Sequence, residues 1–334
     1  MKCVKVPLKQ LNDTRIKLME EGLMNMEYRI KASKEYGYIP INDDINGYEI
    51  VDVELEPMKK VPHNFSELLE DELSEDEIEN LRTSFDTIGD IVILEIPENL
   101  QSKKDIIGKA ALNFTKRKAI YMKKSAIKGT TRVRDLEFLA GVDDSITIHK
   151  EHGSRLKLDV REVYFSPRLA TERKRVMETV KDGERILDMF CGIGPFPIVI
   201  AKNRNVTVTA VDINDSAIKY LDENIKLNKL EGKIETYCGD VREVSKSFNL
   251  KFDRIIMNLP GLAYTFLDVA VNLIEDDGII NYYEFSDSYE QGIKRLEDAA
   301  NMAGKKVEII NCRKVKSTSP GEWHIAIDGK ISKK

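Results

Sequence analysis

The second half of the sequence alternates short β-branched runs with amphipathic segments, and this alternation limits the possible folds more than any other feature. Seven segments have the composition of strands: RILDMF, VTVTAVDI, KIETYC, DRIIMNL, GIINYYEF, KVEIINC and WHIAID. Helical periodicity marks DSAIKYLDENIKLNKL and SYEQGIKRLEDAANMAG. We therefore predict a seven-stranded, doubly wound and mostly parallel α/β sheet of the Rossmann-like class. No helix separates the last two strands, which predicts an antiparallel hairpin.

The first half predicts two further α/β units. A helix (LKQLNDTRIKLMEEGLM) and two strands (YGYIPI and YEIVDVEL) form a small N-terminal module over residues 1–60, and the proline-containing EPMKKVPHN is a linker. An acidic helical stretch from Ser66 to Asn80 follows, then the strands DIVILEI, SITIHKEHG and RLKLDVREVYF. These elements predict a middle domain over residues 64–165, before a catalytic domain over residues 166–334.

Charge is distributed unevenly along the chain. The formal net charge is -5, yet residues 102–134 contain eleven Lys or Arg and one acid, Asp105. Such a local excess attracts phosphate groups even on an acidic protein. The alternative is a solvated lysine-rich face, which the near absence of acids within the segment disfavours. We therefore expect the middle domain to bind RNA.

Other features of composition narrow the cellular setting. No apolar stretch approaches the length of a membrane span, and the first residues lack the apolar core of a signal peptide. We expect a cytoplasmic protein that acts as a monomer and binds no membrane. The four cysteines and four histidines are poorly spaced for a metal, so we also expect no metal site.

A glycine loop joins the first predicted strand of the catalytic domain to a helix, in ERILDMFCGIGPFPIVIAKN. Gly192 and Gly194 let backbone N–H groups approach a ligand closely. The dinucleotide fingerprint GxGxxG needs a third glycine, and that position is Pro197. A pyrophosphate ligand is therefore disfavoured.

Two acids follow the next two strands. Asp212 in TAVDIN can accept hydrogen bonds from both hydroxyls of a ribose, and Asp240 in YCGDV can meet an adenine amine. Either alone is more often a turn residue, but together with the glycine loop they suit a nucleoside with a methionine tail, S-adenosylmethionine. We expect their neighbours to line the same site: Phe190, Cys191, Ile213 and Val241.

The fourth strand of the catalytic domain ends in MNLPG. Asn258 can cap the strand and Pro260 can end it, because proline donates no hydrogen bond to a sheet. An alternative is that the Asn258 amide orients a planar base beside the cofactor while Pro260 stiffens the loop.

Motifs in order along the chain identify a family. RVRDLEFLAG, VYFSPRLATER, DMFCGIGPF, VDIN, MNLPGLAYTFLD and SPGEWH resemble those of the archaeal-type tRNA (guanine-N1)-methyltransferases, which modify guanosine 37 beside the anticodon. NLPG also resembles the Asn-Pro-Pro-aromatic signature of methyltransferases that act on amino or ring nitrogens, with Leu259 and Gly261 as departures. The resemblance implies S-adenosylmethionine as methyl donor, tRNA as substrate, and a module, a middle domain and a catalytic domain in that order.

The resemblance also implies residue roles. Guanine N1 must lose a proton as it gains a methyl group, and negative charge develops towards O6. Glu172 is then the general base, Arg132 stabilises O6, and Asn258 and Pro260 hold the guanine. Each has a structural alternative: Glu172 is placed as a first-turn helix acid, and Arg132 as one more phosphate contact.

Further roles follow from the same family. Tyr164 is expected to pack on the extruded nucleotide, or else to be a core residue of a strand. Arg173 corresponds to a position that helps bind the cofactor, and Arg134 is expected to contact the substrate.

Other functions remain open from sequence. Within the fold these are methylation of a carbon of 4-demethylwyosine at position 37, alone or as a second activity, and aminocarboxypropyl transfer. Outside it, the chain could be an RNA-binding protein with a degenerate cofactor fold, or a small-molecule methyltransferase. The intact glycine loop with Asp212 and Asp240 disfavours the former, and the basic segment disfavours the latter.

Overall fold

The computed structural model describes residues 1–58, 62–124 and 135–334, and these fall into two compact units, Met1–His63 and Asn64–Lys334. The linker prediction overlaps residues 59–61, which lie outside the described residues. Within the described ranges, no helix is long and apolar enough to cross a membrane.

The first unit is a four-stranded sheet with one α-helix. Its strand order is β2-β3-β1-β4, and β1 pairs antiparallel with both β3 and β4. The predicted helix and both predicted strands are present, but the first strand is missing from the prediction. Its buried residues, Cys3, Val4 and Val6, are too few to stand out between lysines. The elements are β1 (Lys2–Pro7), α1 (Leu11–Glu20), β2 (Lys31–Ala32), β3 (Tyr36–Pro40) and β4 (Glu49–Asp52).

The second unit begins with a mixed four-stranded sheet of order β5-β6-β7-β8, followed by a separate hairpin of β9 and β10. Only part of the predicted acidic helix is α-helical, and it starts at a capping box in which Ser74 and Glu77 cap each other's backbone. The elements are α2 (Glu75–Asn80), β5 (Phe85–Ile88), β6 (Ile91–Leu94), α3 (Lys104–Thr115), β7 (Ala119–Lys123), β8 (Leu136–Gly141), β9 (Ile146–Glu151) and β10 (Ser154–Asp159).

The basic segment is better compensated than its sequence suggests. The segment contains α3 and β7, whose apolar residues are buried in the core. Acidic side chains from other elements form ion pairs with several of its lysines. The pairs are Lys103–Glu77 (2.7 Å), Lys104–Glu137 (2.6 Å), Lys118–Asp144 (3.2 Å), Lys123–Asp86 (3.4 Å) and Lys124–Glu137 (3.6 Å). The near absence of acids within the segment therefore does not leave these five lysines unpaired, because acids distant in sequence are close in the fold. Within the described residues, Lys109, Lys116 and Arg117 are exposed and have no acidic partner.

The rest of the second unit is the predicted seven-stranded sheet, of order β13-β12-β11-β14-β15-β17-β16. The strands β11 to β15 are parallel to one another, and β17 is antiparallel to both of its neighbours. The hairpin prediction is confirmed, and β17 also separates β15 from β16. The elements are α4 (Ala170–Thr179), β11 (Arg185–Asp188), α5 (Pro195–Asn203), β12 (Thr207–Asp212), α6 (Asp215–Leu227), β13 (Lys233–Cys238), α7 (Val241–Val244), β14 (Phe252–Met257), α8 (Leu267–Leu273), β15 (Ile274–Ser286), α9 (Glu290–Met302), β16 (Lys305–Ser319) and β17 (Glu322–Lys333).

Side chains of alternating residues bury against helices on both faces of this sheet. On one face, Ile256 and Tyr283 pack with Val176 of α4 and Ile200 of α5. On the other face, the core contains residues of α8 and α9 and the alternate strand positions, among them Tyr282. This two-sided burial is what the continuous apolar runs of the parallel strands require.

A buried arginine joins α4 to the centre of the sheet. Arg254 of β14 is 1% exposed, and its Nε donates to Glu184 Oε2 at 2.8 Å. Its Nη2 donates to the carbonyl of Thr179, the last residue of α4, at 3.2 Å. The contact therefore fixes the end of the helix whose first turn carries Glu172.

We expect Arg254→Met to lower the free energy of unfolding by about 3–5 kcal/mol, because it leaves a largely buried Glu184 carboxylate without its cation. Urea denaturation of the full chain measures this. Arg185→Met is the matched control, since Arg185 of β11 pairs with Asp253 of β14, next to Glu184 and Arg254 in sequence, but both side chains are about 40% exposed. That change is expected to cost about 0–1 kcal/mol. Equal losses of unfolding free energy in the two variants would contradict the role of Arg254 as the buried partner of Glu184.

Candidate active site

The glycine loop lies between β11 and α5, and its two glycines have different structural roles. Gly194 has φ +82°, and a Cβ there would lie 2.2 Å from Leu221 Cδ1 of α6, so this glycine is needed for close packing. Gly192 has φ +54°, and a Cβ there would meet nothing closer than the Tyr164 carbonyl oxygen at 3.9 Å. The loop is therefore open to a ligand at Gly192 and closed at Gly194.

Asp212 connects the glycine loop to the end of β12. Its Oδ2 accepts a hydrogen bond from the Gly192 N–H at 2.7 Å, and its Oδ1 accepts one from the Asn214 N–H at 2.9 Å. The next residue, Ile213, is a large apolar side chain with 45% exposure. The carboxylate predicted for a ribose thus also shapes the loop, and an apolar surface stands beside it.

Asp188, the last residue of β11, is absent from the sequence prediction. It is 1% exposed, its Oδ1 accepts from the Phe190 N–H at 3.2 Å, and its buried Oδ2 has no hydrogen-bond partner among the described residues. Burial raises the pKa of this carboxyl to about 8. A buried acid with an unsatisfied oxygen is a feature of ligand sites. The sequence signal was present, as an acid directly before the glycine loop.

The loop after β13 contacts the loop after β14. Asp240 caps α7 by accepting from the Arg242 N–H at 2.9 Å, and Val241 is buried in the core. The Arg242 guanidinium lies 3.9 Å from the centre of the Phe266 ring, which packs edge-on against Phe190 of the glycine loop. Asp240 and Phe190 are thereby brought to one end of the sheet, while the Val241 side chain faces the core.

Asn258 is the first residue beyond β14. Its side-chain oxygen is buried and accepts no hydrogen bond from the described residues. The backbone on either side is fixed, because the Leu259 N–H donates to the Met257 carbonyl at 3.0 Å and the Phe285 N–H donates to the Pro260 carbonyl at 3.1 Å. The rigid loop therefore presents an amide oxygen that a ligand can satisfy.

Glu172 lies in the first turn of α4 and is 1% exposed. Arg175 donates to it through Nη2 at 2.6 Å and through Nε at 3.0 Å, and the Tyr283 hydroxyl donates at 2.8 Å. The Arg313 guanidinium lies 3.5 Å away. Burial with these partners exceeds what a first-turn acid needs, so helix capping alone does not explain this residue.

Arg173 points into the contact between α4 and β9. It is 1% exposed, and its guanidinium forms a two-pronged ion pair with Glu151 at 2.6 and 2.5 Å. Its Nη2 also donates to the Ser166 carbonyl at 3.1 Å. The structure thus uses this guanidinium within the protein, where it fixes the start of α4.

The remaining predicted residues differ in what the structure describes. Tyr164 is half-buried, and its carbonyl faces Gly192. Cys191 is buried within the glycine loop, where burial raises the pKa of its thiol well above the ordinary value. Arg132 and Arg134 lie outside the described residues. Among the described residues, no cluster of His, Cys, Asp or Glu could hold a metal ion.

Three family descriptions match successive parts of the chain. Residues 3–49 match the tRNA methyltransferase 5 N-terminal domain, residues 65–145 the TYW2 N-terminal domain, and residues 147–310 the TRM5/TYW2 methyltransferase domain. A curated relative, tRNA (guanine(37)-N(1))-methyltransferase Trm5b of Pyrococcus abyssi, is 44% identical over 98% of both chains. A tRNA(Phe) (4-demethylwyosine(37)-C(7)) aminocarboxypropyltransferase of Methanocaldococcus jannaschii is 36% identical over 75% of this chain and 98% of its own.

Solved structures agree with these relatives. The complex of aTrm5 and tRNALeu superposes with a TM-score of 0.86 at 38% identity, and 99% of each chain is covered. Methanocaldococcus jannaschii TYW2 in complex with AdoMet superposes with a TM-score of 0.58 at 31% identity, covering 75% of this chain and 100% of that one. The chain therefore belongs to the TRM5/TYW2 family of methyltransferases, and within it to the archaeal-type Trm5 group that the motifs predict.

Proposed function

We propose that this protein transfers a methyl group from S-adenosylmethionine to N1 of guanosine 37 in tRNA. The alignment with a relative named for this activity carries the proposal, because it spans 98% of both chains. The site residues support it, since the glycine loop, Asp212 and Asn258 are all placed at the carboxyl edge of the sheet, where open α/β sheets bind ligands.

The extent of the matches favours N1 methylation over the wyosine alternatives. The alignment with the aminocarboxypropyltransferase covers almost the whole of that relative but only 75% of this chain. Residues 3–49 match the tRNA methyltransferase 5 N-terminal domain in addition. Methylation of the carbon of 4-demethylwyosine receives less support from the relatives that cover the whole chain.

The residues at the carboxyl edge fit the proposed cofactor. Two buried oxygen atoms, Asp188 Oδ2 and Asn258 Oδ1, have no hydrogen-bond partner among the described residues, and donors on a bound ligand would satisfy them. S-adenosylmethionine supplies an electrophilic methyl group when bound. We propose that Gly192, Asp212 and Asp240 hold its nucleoside, with contributions from Phe190, Cys191 and Ile213. Gly194 and Val241 support the site by packing against the protein. By the family resemblance, Arg173 helps bind the cofactor, and its pair with Glu151 fixes the start of α4.

Groups of this chain then handle the guanine. The proton leaves N1 for the Glu172 carboxylate, so an N–H bond is exchanged for an O–H bond while N1 gains the methyl group. Asn258 and Pro260 fix the plane of the base. By the family resemblance, Arg132 stabilises charge on O6, Arg134 contacts the substrate and Tyr164 packs on the extruded nucleotide.

The middle domain is proposed to attract tRNA through its unpaired cations. Lys109, Lys116 and Arg117 are exposed on α3 and directly after it. Because their charges are not neutralised by acids within the described residues, they can displace counterions from phosphates.

Methylation should require guanosine at position 37. We expect labelled methyl groups to transfer to a tRNA transcript with G37 and not to the matched transcript with A37. Guanine presents an N1 proton to Glu172 and an O6 acceptor to Arg132, whereas adenine presents a lone pair and an amino donor at these two positions. Digestion and chromatography of the product should show 1-methylguanosine. Equal labelling of both transcripts, or none of the G37 transcript, would overturn the proposed function.

Removing unpaired cations of the middle domain should weaken tRNA binding and reduce its salt dependence. For Lys109→Gln with Arg117→Gln we expect the slope of log affinity against log salt to become shallower by roughly one for each phosphate that the variant no longer neutralises. Filter binding at several salt concentrations measures this. The control is Lys219→Gln with Lys246→Gln, two exposed lysines paired with Asp215 and Glu243. An unchanged slope in the first variant would exclude Lys109 and Arg117 from the binding surface.

Asp188 should make stability fall as pH rises. Its folded pKa of about 8 exceeds the ordinary value of about 4, so the folded state keeps a proton that the unfolded chain releases. In urea denaturation without cofactor, the free energy of unfolding of the wild type should therefore fall relative to that of Asp188→Asn between pH 5 and pH 7.5. Asp253→Asn is the control, because the pKa of Asp253 is lowered and its contribution is constant over this range. A constant difference for Asp188→Asn would refute the raised pKa.

A further inference from the structure

The Glu172 carboxylate is held by donors from two directions. Its Oε1 accepts from the Tyr283 hydroxyl at 2.8 Å and from Arg175 Nη2 at 2.6 Å, which occupies both lone pairs of that oxygen. Its Oε2 accepts from Arg175 Nε at 3.0 Å, and Arg313 Nη1 forms a longer ion pair with it at 3.5 Å. Contacts to Oε1 thus fix the orientation of the carboxylate, and Oε2, with one close donor, retains a lone pair that can receive a proton.

Arg175 is itself fixed by groups on the sheet. Its Nη1 and Nη2 donate to the Asp328 carboxylate of β17 at 2.6 and 3.2 Å. Asp328 in turn accepts from Asn281 Nδ2 of β15 at 2.6 Å and from Asn311 Nδ2 of β16 at 3.0 Å. Three strands therefore determine where Arg175 presents its donors to Glu172, and the second carboxylate balances the charge of the guanidinium.

Tyr283 connects this cluster to the loop that carries Asn258. In the sheet, Met257 of β14 pairs with Tyr282 of β15, so the next residues, Asn258 and Tyr283, stand at the same level. The Phe285 N–H then binds the Pro260 carbonyl. Burial raises the pKa of the Tyr283 hydroxyl well above its ordinary value, so this group remains a hydrogen-bond donor.

We propose that Tyr283 and Arg175 are positioning residues that hold Glu172 so that its Oε2 receives the N1 proton. The inference rests on the proposed function, in which Glu172 is the base. Tyr283 fixes the Glu172 carboxylate relative to the loop that carries Asn258, because Tyr283 and Asn258 stand at the same level on two adjacent strands. Arg175 supplies the positive charge and the paired donors that a buried carboxylate requires.

The neighbouring tyrosine provides a matched control. Tyr282 lies on the same strand and is also fully buried, but its side chain is on the opposite face of the sheet. Its hydroxyl donates to Glu284, which also pairs with Arg295. Tyr282→Phe therefore removes the same hydroxyl from a buried carboxylate that has no part in the proposed chemistry.

The test is a double-mutant cycle in single-turnover methyl transfer to the G37 transcript. The variants are Tyr283→Phe, Glu172→Gln, both together, and Tyr282→Phe. We expect Tyr283→Phe to lower the rate about tenfold, the effect of losing one hydrogen bond to a charged group. It should have no further effect in the Glu172→Gln background, and it should leave the dissociation constants for cofactor and tRNA unchanged. Tyr282→Phe should react at the wild-type rate.

Each other outcome has a distinct meaning. If Tyr283→Phe lowers the rate by the same factor in the wild-type and Glu172→Gln backgrounds, Tyr283 acts independently of Glu172. A wild-type rate for Tyr283→Phe would also overturn its positioning role. Neither result would affect the proposed function. A wild-type rate for Glu172→Gln would overturn the base itself and the inference with it. Arg175→Lys keeps the charge but not the two-pronged contact, so its rate should lie between those of the wild type and Glu172→Gln. A wild-type rate there would remove Arg175 from the inference.

Discussion

Two adjacent buried charges on α4 determine how the catalytic domain is assembled. Glu172 and Arg173 are each 1% exposed, and a buried charge is tolerated only with a partner. Successive residues of a helix point in different directions, so their partners must come from different elements. Arg173 binds Glu151 on the β9–β10 hairpin, and Glu172 binds Tyr283 on the central sheet. The helix is therefore held between the hairpin and the sheet, and the carboxylate proposed as base has one orientation.

The carboxyl edge of the sheet is built with unsatisfied polar atoms instead. Asp188 ends β11, Asn258 follows β14, and these two strands are neighbours in the sheet. Each carries a buried oxygen without a partner among the described residues, which costs about 1–3 kcal/mol per group in the absence of a ligand. The same edge thus combines a rigid backbone with atoms that gain most from a ligand. Pre-organisation of this kind lets binding proceed with little rearrangement.

Much of this organisation could be predicted from sequence, and the exceptions have physical causes. The seven strands and the glycine loop were visible because parallel strands are buried on both faces and read as continuous apolar runs. The strand β1 was missed because few apolar residues identify it. The partners of Lys103 and Lys104 were missed because Glu77 and Glu137 are distant in sequence. Local patterns specify elements, but long-range pairs arise only when the elements pack.

The position of β17 has a consequence for how the chain reaches its folded state. This strand follows the other six strands of its sheet in sequence, yet it is inserted between β15 and β16 and supplies Asp328 to the cluster around Arg175. During synthesis, β16 is made before the strand with which it pairs, so it must wait unpaired until β17 emerges. A chain interrupted before Glu322 would lack Asp328, and Arg175 would lose the second of the two carboxylates that fix it. The proposed base therefore has its complete set of partners only after β17 has been synthesised.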